Sequence, residues 1–367
     1  MPYELPPRTL DRDEIAELRA TVREAATESG YPERVRELEG SSTGVDADLW
    51  RLLAEEIGLA GVGLPESAGG LGGLAEILAV TEELGASLAA VPFLTSTVVA
   101  GQILAQASAL GAAAIDYLER IAGGEIGSAA VTDLRGAIDP DAATCTSDAS
   151  TVTGSVRFVP HGASAAFFVV AARTDAGIDL FAVEAADASA SPLTVLDFSR
   201  PVASVTFDAA PAVALTTGGA GTACLAAALP VALLAVAADQ LGGAQHCFDM
   251  TLEYIKLRRQ FNREIGSFQA IKHRMADALM QVEMARSGID KVTSGDSEEL
   301  DVDASVAKAW CSDAYMALAA EAIQLHGGVG FTWEHDAHLY FRRARFDNAY
   351  LGDATYQRER VATLLDW

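Results

Sequence analysis

Arg258, Phe261 and Gln269 sit in the stretch KLRRQFNREIGSFQAI at 256–271, and Gln324, Leu325, His326, Gly327 and Gly328 in IQLHGGVGF at 323–331. These residue types suit a ligand that carries both phosphate and a flat ring. The planar guanidinium of Arg meets phosphate in two parallel hydrogen bonds. A Phe ring can stack on another ring. Glycines at a helix end let backbone come close to a bound group. Each residue also has a purely structural reading: Arg258 as a charge at a helix C-terminus, Phe261 as core, Gly327-Gly328 as a C-cap. The joint spacing is what favours a ligand.

Other groups offer weaker chemistry. Asp239 and Asp353 could each act as a general base if burial raised their pKa; the competing readings are a polar contact in a helix packing face and a loop contact or cap. His335 and His338, with Glu334 and Asp336, allow a metal on paper, against a solvated polar cluster. No Ser-His-Asp or Cys-His arrangement stands out. Cys145, Cys224, Cys247 and Cys311 are far apart and none is in a CxxC. They read as reduced, buried thiols of a cytosolic protein.

The elements that must position these residues follow from the patterning. Residues 11–126 are helix-rich: Asp11 or Asp13 can cap a helix towards Glu28, and apolar residues at 49, 52, 53 and 57 give DADLWRLLAEEI a helical period. The segment LPESAGGLGG breaks the chain at 64–73, and helices are expected at about 74–86, 93–108 and 110–122. From 127 to 213 short Thr/Val/Phe/Ser runs around 151–159, 166–171, 179–183 and 202–207 suggest a small antiparallel barrel or sandwich. From 214 to 367 the pattern is helical again, with long helices before 258, from about 268, and over 302–325; Ser294–Glu299 (SGDSEE) is a polar helix–helix loop.

Composition narrows the partners. The 367 residues carry 26 Lys and Arg against 51 Asp and Glu, a net charge of −25. That argues against a phosphate-tracking nucleic-acid surface and against docking on anionic lipid. The N-terminal MPYELPPRTLDRDE lacks a basic run followed by an apolar one, so no signal peptide is expected. The most apolar stretch, about 223–238, contains Pro230 and reads as a buried helix rather than a membrane span.

Taken together, RRQFNREIGSFQAIKHRMAD and QLHGGVGFTWEHDAHLYFRRAR closely resemble the C-terminal domain of acyl-CoA dehydrogenases. LPESAGGLGG and Val152–Gly162 resemble that family's N-terminal and middle segments. The resemblance implies an α+β fold: an N-terminal helical domain over 1–126, a middle antiparallel β-barrel domain over 127–213, and a C-terminal four-helix bundle over 214–367. It implies α,β-dehydrogenation of an acyl-CoA, with FAD shared between two subunits. Arg258, Phe261, Gln269, Gln324, Leu325, His326, Gly327 and Gly328 would then hold the adenosine-diphosphate half of a neighbour's FAD. Asn262 stands where that family usually has Gly.

Other positions depart from the pattern. Leu351 and Ala232 occupy the two places where the family carries its catalytic base, and neither can take a proton. Thr132-Asp133-Leu134-Arg135-Gly136 begins like the flavin-ring loop and breaks off. Phe158 would stand in for the aromatic beside the flavin, but Pro160 replaces the polar residue two further on and has no donor. These losses resemble the non-catalytic chain of actinobacterial heterotetrameric acyl-CoA dehydrogenases of steroid side-chain degradation. The expectations are a homologous catalytic partner, an acyl-CoA substrate, an electron-transferring flavoprotein as acceptor, and a cytoplasmic location, with no metal, nucleic acid or membrane. Two rivals stand beside this: a self-sufficient enzyme whose base has moved to Asp239 or Asp353, and a non-enzymatic scaffold subunit.

Overall fold

The computed structural model of the chain describes residues 3–6, 8–41, 43–295 and 297–367. Parts of two sequence readings, Met1, Pro2 and Pro7 of the N-terminal segment and Asp296 of the polar loop, lie outside the described residues. The first helix, α1 (Arg12–Glu28), starts where Asp11 accepts from the backbone of Asp13 and Glu14 while Glu14 reaches back, a capping box. Asp46 caps α2 (Ala47–Arg51) by accepting from Leu49 N. The expected helix over 46–57 continues beyond α2 as a wider π turn, Leu52–Glu56. Then follow α3 (Leu74–Ser87), a π-type entry at Leu94–Ala100 that runs into α4 (Gly101–Ser108), and α5 (Ala113–Ala122).

Eight strands form one sheet in the middle of the chain: β1 (Gly127–Ala130), β2 (Cys145–Ser147), β3 (Thr151–Pro160), β4 (Phe167–Thr174), β5 (Gly177–Glu184), β6 (Ala188–Pro192), β7 (Val202–Pro211) and β8 (Val213–Ala214). The order is β6-β7-β3-β2-β4-β5-β8, with β1 beside β4. Pairing is mainly antiparallel, as expected, but β1 and β2 each run parallel to β4. In β4 the period-two pattern divides two cores. Phe167, Val169 and Ala171 face the helices, whereas Phe168, Val170 and Ala172 join Val156, Val205 and Phe207 in the sheet's own core.

The C-terminal part is a helix-rich bundle. It comprises α6 (Gly221–Leu257), a tight hairpin of β9 (Arg259–Gln260) and β10 (Arg263–Glu264), then α7 (Gln269–Thr293), α8 (Leu300–His326), α9 (Ala337–Ala349) and α10 (Ala354–Leu364). Helix α6 is long and apolar enough to cross a bilayer, yet 72% of its most apolar window is buried inside the fold. It crosses α3 at near-backbone contact. A Cβ on Gly242 would lie 1.9 Å from Glu82 O, and one on Gly85 would lie 2.3 Å from Asp239 O. Only glycine at both positions allows that approach.

Candidate functional site

Two places concern the chemistry, and they differ in accessibility. The first is an open cleft of about 810 Å³ where the β9–β10 hairpin meets the end of α8. Helix α6 ends at Arg258, which turns extended, and Arg258 O accepts from Ile265 N at 2.8 Å to close the hairpin base. The two-residue turn places Phe261 at φ 52° and Asn262 at φ 62°. A tight hairpin of this kind asks for positive φ at both positions, and Phe is poorly suited to it. The result is a ring that is 87% exposed. It sits edge-on to Phe268 at 6.2 Å, and Phe268 is itself covered by the Arg263 guanidinium at 3.7 Å.

Across the cleft, α8 ends at His326 and Gly327 follows at φ 64°. A Cβ on Gly327 or Gly328 would meet nothing within 4 Å, so backbone at both faces open space. The imidazole of His326 is fixed: Nδ1 lies 2.7 Å from Ala322 O, Tyr254 stacks on the ring at 4.2 Å, and His335 approaches at 4.3 Å. Burial, then the neighbouring His335, lower the His326 pKa against its bond to Ala322 O.

Arg258, Phe261, Gln324, Leu325, His326, Gly327 and Gly328 therefore line one cleft. Gln269 does not line it; it is exposed in the first turn of α7. Sequence reasoning passed over Tyr254, although it precedes Arg258 by about one helical turn and its hydroxyl donates to His326 O at 3.4 Å. It also passed over Thr332 and Arg274, the latter paired with Glu321.

The second place is where Leu351 and Ala232 lie. Both side chains are buried. Leu351 N donates to Gly136 O at 2.9 Å, so the broken Thr132–Gly136 loop is bonded to the Tyr350-Leu351-Gly352 turn. The Asp133 carboxylate is used within its own loop, accepting from Arg135 N at 2.7 Å and Ala137 N at 2.9 Å. Phe158 sits at φ 62° beside a bulge in β3, half-exposed under the Arg157 guanidinium. Pro160 O accepts from Ser128 Oγ at 2.6 Å. His161 is buried with Nδ1 2.8 Å from Thr95 Oγ1; burial, then Arg200 and Arg343, lower its pKa to about 3, so it is neutral near pH 7.

A buried ion lattice lies between the sheet's 193–201 loop, α6 and α9. Arg200 Nη2 lies 2.7 Å from Asp239 Oδ1, Arg343 Nη1 lies 3.3 Å from Asp239 Oδ2, and Arg343 Nε lies 2.6 Å from Asp197 Oδ2. Arg343 Nη2 also donates to Ser199 Oγ at 2.5 Å. Asp239 and Arg343 have no exposed surface. Burial works against the Asp239 charge, yet the two guanidinium groups hold its carboxyl below the usual carboxylate range. Burial, then the Asp239 charge, push the carboxyl of neighbouring Asp347 well above the usual carboxylate range.

This arrangement overturns Asp239 as a relocated base. A base needs access and a raised proton affinity; Asp239 has neither. Asp353 is exposed and accepts from Tyr356 N at 2.8 Å, which is the N-cap of α10. The 334–338 cluster is split: Asp336 pairs with Arg36, His335 joins the His326 stack, and His338 lies against Trp333. Among the described residues no group of three or more His, Cys, Asp or Glu is placed to hold a metal. The four cysteines are buried and unbridged.

Comparison with known proteins gives a consistent pattern. Residues 219–365 match the family described as acyl-CoA dehydrogenase, C-terminal domain, and residues 12–125 match acyl-CoA dehydrogenase, N-terminal domain. The chain is 36% identical to acyl-CoA dehydrogenase IpdE2 of Mycolicibacterium smegmatis over 94% of its own length and 96% of the relative's. Among solved structures it is 30% identical to a chain of the ChsE4-ChsE5 complex from Mycobacterium tuberculosis, with TM-score 0.85 and 98% of both chains covered. A variant of the Tcur3481-Tcur3483 steroid ACAD matches at 31% identity and TM-score 0.84, covering 96% of this chain and 98% of that one.

Proposed function

The chain belongs to the acyl-CoA dehydrogenase family, and on that premise we propose that it is the non-catalytic subunit of a heterotetrameric acyl-CoA dehydrogenase. In this reading it lends contacts to the adenosine-diphosphate half of a catalytic partner's FAD. Bound FAD supplies the hydride-accepting ring for α,β-dehydrogenation of an acyl-CoA. This chain's residues bind and orient: Arg258 meets the diphosphate charge, Phe261 offers a ring face, and the open backbone at Gly327-Gly328 admits close approach. Nothing on this chain moves the substrate proton.

One contrast carries the reading. The cleft that would hold another chain's cofactor is open and presents a strained, exposed Phe261. At the family's base positions this chain has Leu351 and Ala232, both buried and unable to take a proton, and Leu351 N is bonded to Gly136 O of the broken loop. A backbone outlier of this kind persists where the site has a use for it. The scaffold alternative has no need of the intact cleft.

The acyl group we propose is bulky and steroid-like, and the oxidant that reoxidises the flavin an electron-transferring flavoprotein. Support for the steroid assignment comes from the neighbouring steroid ACAD by name. It is tested by comparing turnover of a steroid side-chain CoA thioester with that of a straight-chain one.

Phe261→Ala and Arg258→Ala test the cleft directly. Both side chains are exposed, so each variant should keep its melting stability within about 0.5 kcal/mol. Retained FAD per complex, read from flavin absorbance after gel filtration, should fall at least about tenfold in affinity for Arg258→Ala. Full FAD retention in both variants would contradict the proposal.

A further inference from the structure

The Gly327–Phe331 turn that borders the cleft also borders a second hollow, of about 300 Å³. Ile323, Phe331, Trp333, Phe341, Arg342 and His338 line it, and none of its lining residues is acidic, in a chain of net charge −25. Phe331 is 79% exposed and Trp333 47%. Trp333 is held in place although it faces solvent. Trp333 stacks on Phe198 at 6.1 Å and 14° between planes, and the Arg342 guanidinium lies 5.2 Å from Trp333 and 5.1 Å from Phe198. Trp333 O accepts from Arg36 Nε at 2.6 Å, and Arg36 also pairs with Asp336 at 2.7 Å.

Three parts of the chain thus converge to fix an aromatic shelf. Two groups in it are incompletely used. Arg342 donates to Leu196 O at 3.0 Å and pairs with no carboxylate among the described residues. His338 is 8% exposed, and its Nε2 is buried without a hydrogen-bond partner. A buried, unpaired imidazole nitrogen is unfavourable until something reaches it. Rigid aromatic pockets with one guanidinium are where binding energy concentrates at protein interfaces, because little side-chain entropy is lost when they are covered.

We propose that this hollow is the anchor of the subunit interface: the catalytic partner inserts one aromatic or aliphatic side chain here, flanked by a carboxylate that pairs with Arg342. The proposal rests on the lender reading above. A partner whose FAD enters the cleft meets the same Gly327–Phe331 turn, which brings its surface next to the hollow. Carboxylate is the complementary group because the recess itself has no acid.

The test uses the heteromer isolated from its native host through a tag on this chain, carrying Phe331→Ala or Arg342→Gln. Phe331 is exposed enough to be truncated without loss of fold, and melting of the assembled protein checks this. Dissociation is followed by mass photometry over a dilution series. Each substitution should raise the half-dissociation concentration at least about tenfold, and the effect of Arg342→Gln should shrink at high salt. Unchanged dissociation in both variants, with FAD retained, would overturn the anchor and leave the lender reading standing. Loss of a homodimer of this chain instead would make the occupant a second copy and overturn it also. If the wild-type chain brings down no second chain type, the lender reading fails and the anchor with it.

Discussion

Asp239 shows how burial decides a residue's role. Its two guanidinium partners are themselves buried, so removing its charge leaves Arg200 without a carboxylate and Arg343 with Asp197 alone as its ion pair. Asp239→Asn should cost about 3–5 kcal/mol in urea unfolding and leave turnover per assembled complex unchanged. A catalytic base would behave in the opposite way. Because the folded pKa of Asp239 is depressed, its stabilising effect is present above the unfolded carboxylate pKa of about 3.9. It is lost as pH falls through the folded value, so the wild-type advantage over the Asn variant should vanish in acid. The spacing of Arg258, Phe261, Gln324 and the glycine pair was legible because each lies at an element boundary that the pattern marks. Arg200 and Arg343 were not: nothing local distinguishes a buried Arg from a surface one, and the lattice exists only once loop, α6 and α9 meet. The left-handed Phe261 was hidden for the same reason, since Asn262 in place of Gly gave only a faint hint of the turn.

At the scale of elements, α10 starts from the same carboxylate that was a rival base. As an N-cap, Asp353→Ala should lower stability by about 1 kcal/mol, while Asp353→Asn should cost almost nothing because Asn caps equally well. Thermal unfolding of the two variants decides it: if both lose turnover without loss of stability, the cap reading fails. Helices α1, α3, α7 and α8 were legible from period and caps, and β3, β4, β5 and β7 from β-branched and aromatic runs. Strand β6 was not. Its sequence, ASASP, has no strand signal, and it forms because five of its residues pair along β7. The π turn after α2 likewise left no trace in a helical period that fits 46–57. The parallel pairings of β1 and β2 with β4 depend on connections between distant segments, which alternation alone cannot order.

For the molecule as a whole, the lender proposal rests on the open cleft, the apolar residues at the base positions and the aromatic shelf beside the cleft. The three-part order of helices, sheet and helices was legible in the sequence, whereas the bond that ties Leu351 N to Gly136 O was not, because it joins segments far apart in the chain. The most direct measurement is native mass spectrometry of the protein tagged and purified from its own host, counting chains and FAD together. The lender account requires two chain types in equal number with one FAD per pair. A homo-oligomer of this chain with one FAD per subunit and dehydrogenase activity would contradict it.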